Sequence, residues 1–374
     1  MTDYRKETKS VHSGGIEDPF GGVTSPIIPS TAYNYLEKDK TAYPRYFNTP
    51  NQEAVAAKIA ALEGGEMGLV FSSGMAATMA IILTFLKHGD HILLQNDIYG
   101  GTHDAISVEL TKFGIQFSFV QGNVKSITEN IRENTKVIFI ESPSNPILKI
   151  TDIQKIANVA KENNIISVID NTFASPVNQN PLDLGIDIIM HSGTKYLGGH
   201  SDISCGASIS SKELGQRIRE TSIHLGSNLD AATCNLLERS LKTLYVRVEK
   251  QNENAFKIAR HLEKHPSVEK VYYPGLESHE DYAIAKAQMN GFGGMVSFEV
   301  KTDPIQFQKK LRLIKSAISL GGVESTVCSP VLTSHARMTP EERAAINVKD
   351  SLIRMSVGIE HIDDLINDLD EALQ

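Results

Sequence analysis

Lys195 stands in the run His191-Ser192-Gly193-Thr194-Lys195-Tyr196-Leu197-Gly198-Gly199-His200, one lysine among hydroxyls, glycines and histidines. Small neighbours leave room for a large group on its amine. The hydroxyls of Ser192 and Thr194 are suited to a phosphate beside it. A lysine stripped of its proton by partial burial and nearby cations becomes a nucleophile toward aldehydes. Most lysines in Gly-rich loops are simply solvated, so the reading depends on what else the chain brings.

Upstream, Ile165-Ile166-Ser167-Val168-Ile169 has the β-branched, apolar character of a buried parallel strand and ends on Asp170. Ligands of open α/β sheets bind outside the carboxyl ends of the strands, which directs Asp170 toward a site. Earlier still, Ser72-Ser73-Gly74-Met75 separates an apolar run ending at Phe71 from Ala76–Leu86, which has the composition of a buried helix. Free N–H groups and the positive dipole end make that junction a phosphate site. The same residues are also good helix-capping chemistry. Pyridoxal 5'-phosphate (PLP) needs all three features. An amine captures its aldehyde, donors hold its phosphate, and a carboxylate keeps the pyridine nitrogen protonated so that the ring accepts electrons.

In this order the three motifs resemble the Cys/Met-metabolism family of PLP enzymes, and the resemblance runs through nearly the whole chain. It includes Thr24-Ser25-Pro26-Ile27-Ile28-Pro29, Tyr43-Pro44-Arg45, Tyr99-Gly100-Gly101-Thr102 and Glu141-Ser142-Pro143-Ser144-Asn145-Pro146. It continues in Ser319-Leu320-Gly321-Gly322 and Arg354-Met355-Ser356-Val357-Gly358. The resemblance implies that Lys195 carries the cofactor and shuttles protons, that Asp170 pairs with the pyridinium nitrogen, and that Tyr99 stacks on the ring and assists proton transfer. Ser73, Gly74, Met75, Ser192 and Thr194 would hold the phosphate, joined by Tyr43 and Arg45 from a neighbouring subunit. That sharing implies a homo-oligomer, a dimer at least and a tetramer by family habit. Arg354 lies in a stretch that partly alternates like a strand, and its planar guanidinium suits the α-carboxylate of an amino acid. Ser319 matches a residue that orients the same carboxylate and the lysine.

Composition narrows the alternatives. A chain of 374 residues with 41% hydrophobic and 22% charged residues is an ordinary globular protein, large enough for two domains. A net charge of −8 argues against nucleic-acid partners. Neither a secretory signal nor a membrane span is legible, so a cytoplasmic enzyme is expected. Cys205, Cys234 and Cys328 read as buried free thiols. His191, His200 and His335 fit no zinc spacing, and no metal is expected. The glycines of Gly64-Gly65-Glu66-Met67-Gly68 lack the dinucleotide order.

Residues 1–50 show little periodicity and read as an arm reaching a neighbouring subunit. Residues 51–245 alternate apolar runs (Leu69–Phe71, Ile92–Leu94, Phe117–Val120, Val137–Ile140, Ile165–Ile169, Ile186–Met190) with helical stretches, among them His103–Lys112. That alternation predicts a mostly parallel sheet in a large PLP-binding domain. A long helical pattern from Ala231 to His265 leads into residues 246–374, a smaller C-terminal α/β domain with a further helical stretch at Ile305–Ile314. The family implies the same architecture, the aspartate-aminotransferase-like PLP fold type I.

The distal pocket separates the family's reactions. Cystathionine γ-lyases carry glutamates where this chain has Ala42 and Ile318, and methionine γ-lyases typically a cysteine in place of Gly101. Many γ-synthases and γ-lyases have an arginine at the position of Asp104, which here would repel a distal carboxylate and attract an amine. The expectation is a PLP-dependent carbon–sulfur lyase, by β- or γ-elimination from a sulfur amino acid. A γ-replacement enzyme using an O-acylhomoserine is the alternative, and a non-catalytic binding protein on the same fold the second.

Overall fold

The computed structural model describes residues 4–36, 40–336 and 338–374. Seven strands form the larger sheet: β1 (Met67–Phe71), β2 (His91–Gln95), β3 (Gln116–Val120), β4 (Thr135–Glu141), β5 (Ile166–Asp170), β6 (Ile188–His191) and β7 (Gly206–Ser210). Their order is β1-β7-β6-β5-β4-β2-β3. β7 runs antiparallel to β1 and β6, and the other pairings are parallel. The expected strands are present. β7 is an addition, because Gly206-Ala207-Ser208-Ile209-Ser210 is too short in bulk to read as apolar.

Alternation along the strands distributes the core. Val137 and Phe139 of β4 pack on one face, with helix α3 (Gly74–Phe85), while Ile138 and Ile140 join helix α2 (Pro50–Glu63) on the other. Earlier in the chain, helix α1 (Lys6–His12) docks on α2, its terminal carbonyls at Ser10 and Val11 accepting from the buried Lys58 amine at 3.1 Å.

The second sheet, in the order β10-β11-β12-β9-β8, comprises β8 (Val268–Tyr272), β9 (Met295–Val300), β10 (Lys315–Ser316), β11 (Thr326–Cys328) and β12 (Leu352–Ser356). It packs around its own core, centred on Phe298, Phe307, Ile353 and Met355. None of the helices among the described residues is long and apolar enough to cross a membrane.

Three expected helices differ. The Ala231–His265 pattern is two helices, Ala231–Leu241 and Leu244–Leu262. Thr243 Oγ1 and a buried Arg247 nitrogen both donate to the Ser240 carbonyl, which takes it out of a continuous ladder. The Ile305–Ile314 stretch is helical only over Pro304–Lys310, because the Asp368 carboxylate accepts from the amides of Arg312, Leu313 and Ile314. His103–Lys112 begins in the last residues of a short helix α4 (Gly100–Asp104) and continues as a π-type turn and a 3-10 turn rather than as one regular helix.

Candidate active site

The carboxyl ends of β1, β4, β5 and β6 open onto a cavity of about 570 Å³, and residues around β12 close it from the second sheet. That volume lies within the roughly 300–1,000 Å³ usual for small-molecule sites. Lys195 is on its wall, in the loop that follows β6. Its amine donates to Ser319 Oγ at 2.8 Å. Burial first, then the Arg354 guanidinium, lowers its pKa to about 8, with Asp170 acting in the opposite direction. Such a lysine is a free base far more often than a solvated one. Ser319 itself holds φ at 81°, an unfavourable backbone angle for a serine that keeps its hydroxyl on the amine.

The other half of the lysine loop is drawn tight. Thr194 Oγ1 donates to the Cys205 carbonyl at 3.2 Å and accepts from the Cys205 amide at 3.0 Å. Its hydroxyl therefore mainly closes the loop on β7. Ser192 donates its amide to Thr172 Oγ1 at 2.8 Å, tying the ends of β5 and β6 together.

A Cβ on Gly74 would lie 2.8 Å from Ser192 Cβ, so only glycine lets the start of α3 meet the lysine loop this closely. Ser73 caps α3 by accepting the Ala76 amide at 3.1 Å. The amides of Gly74 and Met75, ahead of the first intrahelical bonds, remain for an anion.

Asp170 ends β5, is 6% exposed, and accepts the Thr172 amide at 2.9 Å. Burial raises its pKa, and the Thr172 hydrogen bonds, His191 and Lys195 oppose that rise. Beside it in register on β4 is Glu141. Burial, then the Asp170 charge, pushes the Glu141 carboxyl well up, although it accepts the Tyr99 amide at 2.7 Å. Tyr99 is half exposed at the mouth. A Cβ on Gly101 would lie 2.5 Å from its ring, so glycine there lets the ring lie back over α4.

Arg354 projects from the middle of β12 and is 6% exposed. One guanidinium nitrogen donates to Asn145 Oδ1 at 2.7 Å. Among the described residues no carboxylate pairs with it, so a buried cation faces the cavity with donors to spare.

Of the residues picked from sequence, Lys195, Asp170, Tyr99, Ser73, Gly74, Met75, Ser192, Thr194, Ser319 and Arg354 share this one cavity. Asp104 lines an adjoining pocket of about 290 Å³, which shares Tyr99, Thr333 and Ser334 with the first. Tyr43 and Arg45 line neither pocket. The Arg45 guanidinium lies 5.8 Å from the Tyr43 ring centre and donates to the Ile223 carbonyl. Asn145, Glu141 and Thr172 escaped individual selection. A polar residue ending a β-branched run, the rule that found Asp170, also describes Glu141.

The residues fit PLP: an amine of lowered basicity, a cradle of helix-end amides that a Cβ would fill, a buried carboxylate and an aromatic wall face one space. A guanidinium opposite them suits an amino-acid carboxylate, so fold and site define a PLP enzyme of amino-acid chemistry. The chain belongs to the Cys/Met metabolism PLP-dependent enzyme family, whose model matches residues 7–374. It is 44% identical to cystathionine beta-lyase of Coxiella burnetii, covering 98% of this chain and 97% of that one. Identity to L-methionine gamma-lyase of Fusobacterium nucleatum is 38%, with the same coverages. Cystathionine gamma-lyase from Lactobacillus plantarum, solved with L-serine, superposes with a TM-score of 0.95 at 40% identity, over 99% of this chain and 98% of that one.

Proposed function

We infer that the protein is a PLP-dependent carbon–sulfur lyase of sulfur amino acids, and we propose β-elimination from cystathionine as its reaction. One observation carries the reading: a lysine amine of lowered pKa and an anion-seeking guanidinium face the same cavity from different sheets. When bound, PLP supplies an aldehyde that captures the substrate amine and a ring that accepts electrons from the α-carbon. Asp170, ionised, keeps the ring nitrogen protonated. Arg354 grips the α-carboxylate, with Asn145 holding the guanidinium in orientation. Lys195 Nζ, steadied by Ser319, takes the α-proton. The Cβ–S bond then breaks, the thiol leaves with a proton, and hydrolysis releases a 2-oxo acid and ammonia. Gly74 and Met75 amides, with Ser73 and Ser192, would anchor the phosphate, and Tyr99 would supply the aromatic wall beside the ring.

Asp104 favours a substrate that carries a distal ammonium, as cystathionine does at either end. Its carboxylate borders the pocket that continues past Tyr99, where the distal end of a long substrate would reach. A carboxylate there attracts a distal ammonium and repels a distal carboxylate. The homology to cystathionine and methionine lyases supports the same class. A γ-replacement activity is the competing reading.

The arm supports a shared site. Phe20 and Val23 are 96% and 99% exposed, apolar side chains suited to a second copy of the chain. We propose that residues 1–50 reach a neighbouring subunit, carrying Tyr43 and Arg45 to its phosphate, and that residues 51–245 and 246–374 form the two domains. A homotetramer is the assembly this reading favours.

Incubation of the holoenzyme with L-cystathionine alone tests the reaction. β-Elimination yields homocysteine and pyruvate, whereas γ-elimination yields cysteine and 2-oxobutanoate. Turnover that requires an O-acylhomoserine and a thiol would reject the lyase.

A further inference from the structure

The Ser319 hydroxyl meets the Lys195 amine only while a left-handed piece of backbone keeps its shape. Ser319 holds φ at 81° and Gly321 at 77°, a region that a serine occupies only where its surroundings impose it. Ser319 is exposed to the cavity, whereas Leu320, Gly321 and Gly322 behind it are buried. Three hydrogen bonds fix this buried side of the turn. The Gly321 amide donates to Ser356 Oγ at 2.8 Å, and Gln251 Nε2 donates to the Gly322 carbonyl at 2.7 Å. The Val323 amide donates to the Gly199 carbonyl of the lysine loop at 3.0 Å. The turn also presses on that loop directly, since a Cβ on Gly321 would lie 2.8 Å from the Tyr196 nitrogen.

Two of these partners are buried side chains from elements already tied to the site. Ser356 ends β12 two residues after Arg354, so both lie on the same face of the strand. Gln251 lies in the helix Leu244–Leu262, between Arg247 and Asn254 on one buried stripe at helical spacing. Arg247 donates to the Tyr196 carbonyl at 2.9 Å, next to Lys195, and Asn254 donates to the Gly358 carbonyl at 3.1 Å, just past β12. One helix thus registers the lysine loop, the Ser319 turn and the arginine strand against each other. We propose that Gln251 and Ser356, neither of which lines the cavity, are positioning residues that hold Ser319 Oγ on Lys195 Nζ and so keep that amine aimed at the substrate α-proton. An apolar side chain would fill the place of Gln251 with less desolvation, so the bond to Gly322 is what the carboxamide contributes. The inference rests on the reading of Lys195 as the base for that proton.

The test is a double-mutant cycle on the holoenzyme, in which the α-hydrogen of L-alanine exchanges for deuterium in heavy water and NMR follows the loss of signal. L-Alanine has no group to eliminate, so exchange isolates the proton transfer from the choice of reaction. Gln251→Met and Ser319→Ala each slow exchange at saturating alanine about tenfold, a fraction of the roughly 10²–10⁴ that a positioned proton-transfer group contributes. Because both act through one contact, the double variant is no slower than the slower single variant. The alanine concentration for half-maximal exchange, which Arg354 governs, stays unchanged. Losses that multiply to about a hundredfold, as independent sites do, overturn the inference. So does an unchanged rate in Gln251→Met, or a loss carried by alanine affinity rather than rate. Ser356→Ala, which releases the Gly321 amide of the same turn, gives the same pattern and takes the place of Gln251→Met if that protein does not fold. Failure of both to fold would make the two residues structural and overturn the positioning role. If wild type exchanges no α-hydrogen, or Ser319→Ala exchanges normally, the reading of Lys195 and Ser319 fails first, and this inference falls with it.

Discussion

The Arg354 guanidinium and the Asn145 carboxamide meet at 2.7 Å across the gap between the two sheets. Asn145 follows β4 of the larger sheet, and Arg354 sits mid-strand in the smaller one. A neutral acceptor fixes the orientation of the cation without cancelling its charge, leaving it for the substrate. Arg354→Lys keeps the charge and loses the planar fork. It is expected to lower kcat/KM for any amino-acid substrate by about 2 kcal/mol, roughly thirtyfold, mainly through KM. Unchanged KM would remove Arg354 from carboxylate binding.

The lowered pKa of Lys195 predicts a pH dependence for cofactor uptake. Below about pH 8 the amine is mostly protonated, so the rate at which apoprotein captures PLP rises with pH. It levels off above about 8, where a solvated lysine would go on gaining free base toward 10.5. Stopped-flow absorbance over that range measures it. A rate still climbing beyond pH 9.5 would contradict the buried environment of the amine.

Arg45 and Lys195 make a test of site sharing. Homo-oligomers of Arg45→Ala should hold cofactor weakly, and those of Lys195→Ala should be inactive. Mixed oligomers recover activity if the arm acts in trans, because some sites then carry both native residues. Hetero-oligomers shown to form without recovering activity would mean that each chain completes its own site.

Asp104→Arg reverses the charge beside the adjoining pocket. The expected result is a fall in kcat/KM for cystathionine that exceeds the fall for methionine, with O-succinylhomoserine handled no worse or better. Equal losses for all three substrates would make Asp104 a helix-opening residue and nothing more.

Local chemistry in the sequence accounts for most of the site. Lys195, Asp170 and the Ser73–Met75 turn could be read because each ends or opens a regular element, where ligands of such sheets bind. β7 stayed hidden because its side chains are small, and small residues there are needed: a Cβ on Gly206 would lie 2.1 Å from the Ser73 carbonyl. The break at Thr243 was invisible to periodicity, since Arg247 and Thr243 compete for the Ser240 carbonyl through contacts that helical spacing does not encode. Glu63 and His191 meet from distant parts of the chain, and only the folded sheet brings them together.

Covalent trapping tests the central assignment most directly. Lys58 is the instructive competitor, because it is fully buried and burial also lowers its pKa to about 8. It lies under α1, bound to the Ser10 and Val11 carbonyls, and lines neither pocket. Borohydride reduction of PLP-saturated protein, followed by proteolysis and mass spectrometry, should find the phosphopyridoxyl group on Lys195 alone. An adduct on Lys58 or any other lysine, or none in saturated protein, would contradict the assignment.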